Sequence, residues 1–307
     1  MRNFCKKSLS LVLAFALAAA LAVTASAKPS RGCEEKTFFQ SGDYSICYQV
    51  IPAKGEQVGR IFFLHGMVSS TVYWEELARL FSQAGYLCAM MDFPGFGYST
   101  RESKGVTPKD REEIAAELME EIAPGEAWIV AGHSMGGGVA LNIALRYPEK
   151  VSALLLYAAA AGGGPPGGMP GLDPELMGCL MTPLLRPLLF MPLAVHLLAA
   201  AANADFCYGM QYDISKIVDP LKLPGTVKSL FYMSQRSNPV DLEAAAKLEI
   251  PILLLWAEKD YVVSGEMADS LTAALPGAQA QTMRGGHMFT EQFAQEAFER
   301  SLAFLKG

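Results

Sequence analysis

The sequence predicts one α/β domain in which helices cover both faces of a mostly parallel sheet. Short apolar runs such as GRIFFLHG and AWIVAG alternate with longer segments that have helical spacing, as parallel sheets require. A Gly/Pro-rich segment, GGGPPGGMPG, interrupts this alternation, and a Leu- and Met-rich segment with helical character follows it. Strand–helix alternation then resumes at PILLLWAEKD. A helical insertion therefore divides the α/β domain.

The strands follow from apolar runs and the helices from apolar spacing. TFFQSGDYSICYQVI reads as two strands around a turn at Ser41-Gly42-Asp43. Continuous apolar runs, typical of strands buried on both faces, occur at GRIFFLHG, YLCAMMD, AWIVAG, VSALLLYAA and PILLLWAEKD, and a last strand is expected at AQAQTMR. Helical spacing that stops at Gly or Pro occurs at TVYWEELARLFSQAG, TPKDREEIAAELMEEIAPG and SMGGGVALNIALRYP. Two more helices are expected, from Ser264 to Leu275 and from Phe289 to Leu305.

These elements divide the chain into four segments. We expect a signal peptide at 1–27 and an α/β core formed by 28–161 and 239–307. The helical insertion, residues 162–238, comes after the sixth strand, and we expect it to form a cap over the core. Its few charged residues and many Leu and Met residues are typical of a cover over an apolar pocket.

Residues 1–27 have the pattern of a secretory signal peptide. Three basic residues precede an uncharged run rich in Leu and Ala, which closes with the small-x-small pattern Ala25-Ser26-Ala27. We expect cleavage before Lys28 and an exported chain that is secreted, periplasmic or in the cell envelope. The alternative is an uncleaved membrane anchor, because the uncharged run is just long enough to span a bilayer.

The charge and the composition of the chain argue against two classes of protein. The 307 residues carry 31 acidic and 25 basic side chains, a net charge of −6. No basic stripe follows residue 27, so we expect no nucleic-acid partner. The 51% apolar content and 18% charged content exclude a disordered chain.

Export makes disulfides chemically permissible. Cys33 and Cys47 flank a predicted hairpin, and Cys179 and Cys207 bracket one helical stretch, so both pairs are candidates. Cys88 lies within a predicted strand and is expected to be a buried free thiol. All five cysteines could equally be reduced core residues, because connectivity cannot be read from sequence.

The sharpest chemical signal is Gly132-His133-Ser134-Met135-Gly136, a G-x-S-x-G between a predicted strand and a predicted helix. In this setting the serine sits on a tight turn, and the flanking glycines remove side chains that would clash. Ser134 is therefore the candidate nucleophile, and the following helix offers main-chain N–H groups to developing negative charge.

A serine hydroxyl needs a general base, and a histidine is the expected one. His287 follows the last strand in a Gly-rich loop, so it fits the order serine, acid, histidine. His65 is expected to brace its own loop, His196 to pack within the insertion, and His133 to point away from the site.

The acid should orient the imidazole from a neighbouring strand end. Asp260 emerges just past the run ILLLW, and Glu258 is the nearby alternative. Asp260 is favoured by position.

The oxyanion needs two main-chain donors. The N–H of Met135 supplies one, and the N–H of Met67 in the loop His65-Gly66-Met67 supplies the second. Gly66 permits close approach of the backbone there.

The segments HGM, DFPGFGYS, GHSMGG, WAEKD and GGH, in this order, resemble the α/β-hydrolase superfamily. The resemblance covers about residues 36–307 except the helical insertion. It implies a Ser134–Asp260–His287 triad, a mainly parallel eight-stranded sheet, a lid between strands 6 and 7, and no metal or organic cofactor. HGM departs from the HGGG of many lipases and esterases. A serine nucleophile argues against haloalkane dehalogenases and epoxide hydrolases.

We therefore expect an exported serine hydrolase of small carboxylic esters with apolar acyl or alcohol groups. The cap could also make transient contact with a membrane or lipid surface. Amide, peptide or carbon–carbon hydrolysis and acyl transfer remain alternatives, since a fold does not fix its chemistry. A non-catalytic binding protein is a further alternative, although such proteins usually lose a triad residue.

Overall fold

A computed structural model describes residues 36–161, 173–234 and 238–307, so the expected signal peptide and the Gly/Pro-rich segment lie outside the described residues. Eight strands form one sheet: β1 (Thr37–Ser41), β2 (Tyr44–Ile51), β3 (Gly59–Leu64), β4 (Tyr86–Met91), β5 (Trp128–His133), β6 (Val151–Tyr157), β7 (Ile252–Ala257) and β8 (Gln279–Met283). The α-helices of the core are α1 (Glu75–Gln83), α2 (Arg111–Ile122), α3 (Met135–Arg146) and, after the insertion, α9 (Leu242–Ala245), α10 (Gly265–Ala274), α11 (Phe289–Gln292) and α12 (Ala294–Lys306).

The strand order is β1-β2-β4-β3-β5-β6-β7-β8. Strands β1 and β2 are antiparallel to their neighbours, and β3 to β8 run parallel. The prediction of a mostly parallel eight-stranded sheet is confirmed. From β3 the chain passes to β4 on one side and then crosses to β5 on the other, so the loops after β3 and β5 diverge at the carboxyl edge. In open parallel sheets, ligands bind at this kind of switch point.

The sheet separates two apolar layers because successive side chains of a strand point to opposite faces. On β3, Phe62 packs with the layer that includes α2 and α3, whereas Phe63 packs with the layer that includes α1 and α12. The Phe62 ring lies edge-on to the Trp128 ring, with their centroids 5.7 Å apart. The centroids of the Phe63 and Trp74 rings are 5.1 Å apart. Both faces of the central strands are therefore buried, which explains their continuous apolar sequences.

The final helix differs from its prediction. A single helix from Phe289 to Leu305 was expected, but Phe293 leaves helical geometry (φ −125°, ψ 47°) and separates α11 from α12. The Phe293 ring packs against Gly285 and lies 4.2 Å below the Arg284 guanidinium. The break therefore lets this aromatic ring close over the loop that carries His287.

The described part of the insertion, residues 173–234, consists of helices joined by short turns. Its helices are α4 (Pro174–Leu185), α5 (Pro192–Asn203), α6 (Phe206–Gln211), α7 (Ser215–Leu221) and α8 (Thr226–Ser234), with a short 3-10 helix at Arg186–Phe190. Within the described ranges no single helix has the length and hydropathy to cross a membrane. The pair Pro174–Phe190 and Pro192–Asn203, bent by 89°, meets that test only when both parts are taken together.

The cysteines within the described residues form no disulfide with one another. Cys47 and Cys88 are free and buried, and burial raises the pKa of each thiol to about 12. Cys179 and Cys207 are free and exposed, so neither is a core residue and the expected bridge between them is not formed. Cys33 lies outside the described residues. The prediction of a buried thiol at Cys88 is confirmed.

Candidate active site

Ser134 occupies a tight turn between β5 and α3. Its backbone has φ 52° and ψ −122°, outside the regions that residues with a side chain normally adopt. The Ser134 N–H donates to the Tyr157 carbonyl at 3.0 Å, and the Ala160 N–H donates to the Ser134 carbonyl at 2.9 Å. Both main-chain groups of the serine are therefore fixed, one by Tyr157 at the end of β6 and one by Ala160 in the segment that follows, and these bonds hold the strained geometry.

The glycines of the motif lie where no side chain fits. A Cβ on Gly132 would overlap the Gly136 carbonyl group, and a Cβ on Gly136 would overlap the Leu64 carbonyl oxygen at the end of β3. The turn is consequently packed against the loop after β3. Close backbone packing, rather than flexibility, accounts for both glycines.

His287 and Asp260 are hydrogen-bonded at the same edge of the sheet. The Nδ1 atom of His287 lies 2.8 Å from Oδ2 of Asp260, and their side chains are 10% and 5% exposed. The other carboxylate oxygen accepts the N–H groups of Val262 and Val263 at 2.8 and 2.9 Å. Because an ionised carboxylate only accepts, His287 Nδ1 must donate. In a neutral imidazole, Nε2 then keeps its lone pair and can accept a proton.

Glu258, the alternative acid, has an exposed side chain. Its main-chain N–H donates to the Met283 carbonyl at 2.9 Å and continues the pairing of β7 with β8. The structure therefore brings Asp260, and not Glu258, to His287.

The expected orientation of His133 is wrong. Instead of pointing away, its ring packs against the His287 ring with centroids 4.6 Å apart and stacks on Tyr73. His133 Nε2 donates to the His287 carbonyl at 2.8 Å. The loop after β8 crosses the sheet face onto which this side chain projects, so the two rings meet. Burial, followed by the nearby His287, lowers the pKa of His133 well below its usual value, which keeps this ring neutral.

The loop after β3 lies directly against the nucleophile. A Cβ on Gly66 would be 3.1 Å from Ser134 Cβ, so the main chain that leads into Met67 passes beside the serine. The Met67 side chain is 54% exposed, and the next residue, Val68, has a positive φ of 62°. Met135 is the first residue of α3, so its N–H has no acceptor within the helix. Met135 therefore follows Ser134 directly in the chain, and the residue before Met67 lies against Ser134.

His65 braces this loop. Its Nδ1 donates to the Gly66 carbonyl at 2.6 Å, and its Nε2 accepts the Phe93 N–H at 2.9 Å. Burial lowers the pKa of His65, which fits a neutral ring with one donor and one acceptor nitrogen. His196 makes a local contact within the insertion, where its Nδ1 donates to the Gly209 carbonyl at 2.9 Å.

The helical insertion also contacts the His287 loop, which no motif in the sequence predicts. The His287 N–H donates to the Ala202 carbonyl at 2.7 Å, and a Cβ on Gly286 would overlap Asn203. A main-chain acceptor in an Ala-rich helix leaves no signal in the sequence.

Within residues 36–161, 173–234 and 238–307, no three or more His, Cys, Asp or Glu side chains are grouped to hold a metal ion. The described part of the site supplies a serine, a histidine, a carboxylate and main-chain N–H groups.

Comparisons with known proteins identify similar hydrolases. A monoacylglycerol lipase of Mycolicibacterium smegmatis is 28% identical over 236 residues, which cover 75% of this chain and 80% of that protein. A pimeloyl-[acyl-carrier protein] methyl ester esterase of Vibrio parahaemolyticus is 28% identical over 225 residues, 71% of this chain and 83% of the relative.

The solved structure of an esterase from Exiguobacterium antarcticum has the same fold, with a TM-score of 0.67 and 19% identity. The structural match covers 88% of this chain and 99% of the esterase chain. The family model described as "Serine aminopeptidase, S33" matches residues 55–287, most of the chain. The chain therefore belongs to this family within the α/β-hydrolase superfamily.

Proposed function

We propose that this protein is an exported serine hydrolase that cleaves carboxylic esters with apolar acyl or alcohol groups. The observation that carries the proposal is the Asp260–His287 hydrogen bond of 2.8 Å, which leaves His287 Nε2 as a proton acceptor. Ser134 on its strained turn supplies the nucleophile. The similarity to ester hydrolases supports an ester substrate.

The reaction proceeds through an acyl-enzyme. Ser134 Oγ attacks the ester carbonyl carbon while His287 Nε2 takes the hydroxyl proton. The N–H groups of Met67 and Met135 stabilise the oxyanion, and Asp260 stabilises the imidazolium. The C–O bond then breaks, and His287 returns the proton to the departing alcohol. Water, deprotonated by His287, hydrolyses the acyl-serine and restores the enzyme.

An apolar substrate is favoured by the composition of the helical insertion. From Pro174 to Asn203 it carries one acidic and one basic side chain, Glu175 and Arg186, among many Leu and Met residues. Such a surface offers few groups that could hold an ionic substrate. We propose that the insertion caps an apolar pocket next to Ser134.

Ester hydrolysis should depend on Ser134. We expect the full-length protein to hydrolyse p-nitrophenyl esters in a series of increasing acyl length. The acyl length that is hydrolysed fastest indicates the size of the pocket. Ser134→Ala should lower kcat by at least about 10³-fold, because the acyl-enzyme cannot form. Ser152→Ala, at an exposed position on β6, is the matched control and should leave kcat unchanged. Equal rates for the Ser134→Ala variant and the wild type would refute the proposed nucleophile.

The acid should be Asp260 alone. Asp260→Asn removes the charge that stabilises imidazolium and favours the wrong tautomer, so kcat should fall by about 10³- to 10⁴-fold. Glu258→Gln should leave kcat within about twofold, as expected of an exposed surface substitution. Steady-state kinetics on the preferred ester measure both variants. A larger loss in Glu258→Gln than in Asp260→Asn would contradict this assignment.

Amide hydrolysis is the second candidate, because the matching family is described as a serine aminopeptidase. Aminoacyl p-nitroanilides, assayed beside the esters, distinguish the two. If the protein hydrolyses the anilides faster than every ester, amide or peptide hydrolysis becomes the favoured function. Folded protein that turns over neither substrate would favour a binding role.

We also propose that the helical insertion makes transient contact with lipid surfaces. On α4, Leu176, Leu180 and Leu184 repeat every four residues, so they share one helix face, and they are 54%, 53% and 65% exposed. Leu193 and Leu198 are exposed on α5. Exposed apolar side chains of this number are typical of interaction surfaces.

Two charges on this face should weaken lipid binding. Leu180→Asp with Leu184→Asp should reduce co-sedimentation with phosphatidylcholine–phosphatidylglycerol vesicles at least about tenfold, because both charges oppose burial. Val58→Asp, at an exposed residue just before β3, is the control and should bind as wild type. Short-chain ester hydrolysis should be unchanged in all three proteins. Vesicle binding equal to wild type in the double variant would reject this surface.

Export is proposed from the segment 1–27. We expect Lys28 as the first residue of the protein recovered from its native cells, as determined by N-terminal peptide mass spectrometry. Retention of residues 1–27 would instead establish the membrane-anchored alternative.

A further inference from the structure

Helix α11 begins two residues after His287 and joins the core to the helical insertion. Thr290 hydrogen-bonds with Tyr73 of the core. The next two side chains reach the insertion: Glu291 accepts from Lys216 Nζ at 2.7 Å, and Gln292 Nε2 donates to Asp205 Oδ2 at 2.9 Å. Three consecutive side chains thus tie the segment after His287 to both parts of the molecule.

Glu291 is the central group of these contacts. Its side chain is 8% exposed, and its second carboxylate oxygen accepts the Tyr212 hydroxyl at 3.0 Å. Burial raises the pKa of Glu291, while Lys216 and Tyr212 oppose that rise. A carboxylate held out of water in this way depends on its partners, and removal of one partner leaves a desolvated group.

The backbone of His287 is held from both sides. Its N–H donates to Ala202 of α5 at 2.7 Å, and its carbonyl accepts His133 Nε2 at 2.8 Å. One main-chain group is therefore fixed by the insertion and the other by the core. Any shift of α5 relative to the core would release the first of these bonds.

We propose that Glu291, through Lys216 and Tyr212, is a positioning residue that clamps the helical insertion onto the His287 loop, so that the insertion takes part in placing the general base. The inference rests on the proposed function for the role of His287. It assigns the insertion a task beyond covering the substrate, because Ala202 supplies a hydrogen bond to the histidine itself.

Loss of the clamp and damage to the substrate pocket are expected to change different kinetic constants. Substrate-pocket damage raises KM, whereas misplacement of the base lowers kcat even for a substrate too small to fill the pocket. A displacement of about 1 Å costs up to about 10²-fold in rate. p-Nitrophenyl acetate is therefore the diagnostic substrate.

The test compares Lys216→Met with Lys216→Arg in the full chain. We expect Lys216→Met to lower kcat for p-nitrophenyl acetate by about 10- to 100-fold with KM within about twofold. Lys216→Arg, which keeps the charge, should restore most of kcat. Lys222→Met is the matched control, because Lys222 lies on the same stretch but pairs with Asp219, and it should behave as wild type.

A second readout does not depend on turnover. Hydrogen–deuterium exchange of peptides covering 284–292 should accelerate in Lys216→Met, since the His287 amide would lose its acceptor, and should stay at the wild-type rate in Lys222→Met. If the wild type hydrolyses no substrate, the proposed function fails, and this exchange difference still decides whether the clamp exists. Tyr212→Phe, which removes one hydroxyl, replaces Lys216→Met if that variant does not fold, and it should change kcat and exchange in the same direction.

Three results would overturn the proposal. The first is an unchanged kcat in Lys216→Met together with unchanged exchange at 284–292. The second is a rise in KM with no loss of kcat, which would restrict the insertion to shaping the substrate pocket. The third is an equal loss in Lys216→Met and Lys216→Arg, which would show that charge at this position is irrelevant.

Discussion

The close approach of the β5–α3 turn to the end of β3 is the constraint on which the rest of the site depends. Gly136 packs on the Leu64 carbonyl, and Gly66 packs on Ser134. Because the strands are neighbours in the sheet, this approach puts the serine and the loop of Met67 side by side. Hydrogen bonds with Tyr157 at the end of β6 and with Ala160 just after it then hold Ser134 in a backbone conformation that it would not adopt alone.

Three histidines lie within or next to this turn, and their hydrogen-bond partners give them different chemistry. His65 and His133 hydrogen-bond with main-chain groups, and burial lowers the pKa of both rings. His287 faces the carboxylate of Asp260, which stabilises a positive charge when the ring takes a proton. The same residue type thus serves as two neutral braces and one candidate base.

Much of the fold and the candidate site could be predicted from local sequence. Buried parallel strands have continuous apolar sequences, and the serine motif requires glycines at fixed positions, so both leave direct signals. Three features of the structure have no such signal in the sequence. The break at Phe293 follows from ring packing on Gly285, the orientation of His133 depends on a distant loop, and Ala202 acts through its carbonyl. Each depends on tertiary contacts that short-range patterns do not contain.

The Ala202 carbonyl also separates two kinds of sequence change. A main-chain acceptor is present whatever side chain residue 202 carries, so substitution there has little direct bearing on the His287 bond. Insertion or deletion of one residue in α5 is different, because it rotates the end of the helix by about 100° and moves it along its axis by about 1.5 Å. The part of α5 that leads to Ala202 is therefore constrained in length and register more than residue 202 is constrained in side chain.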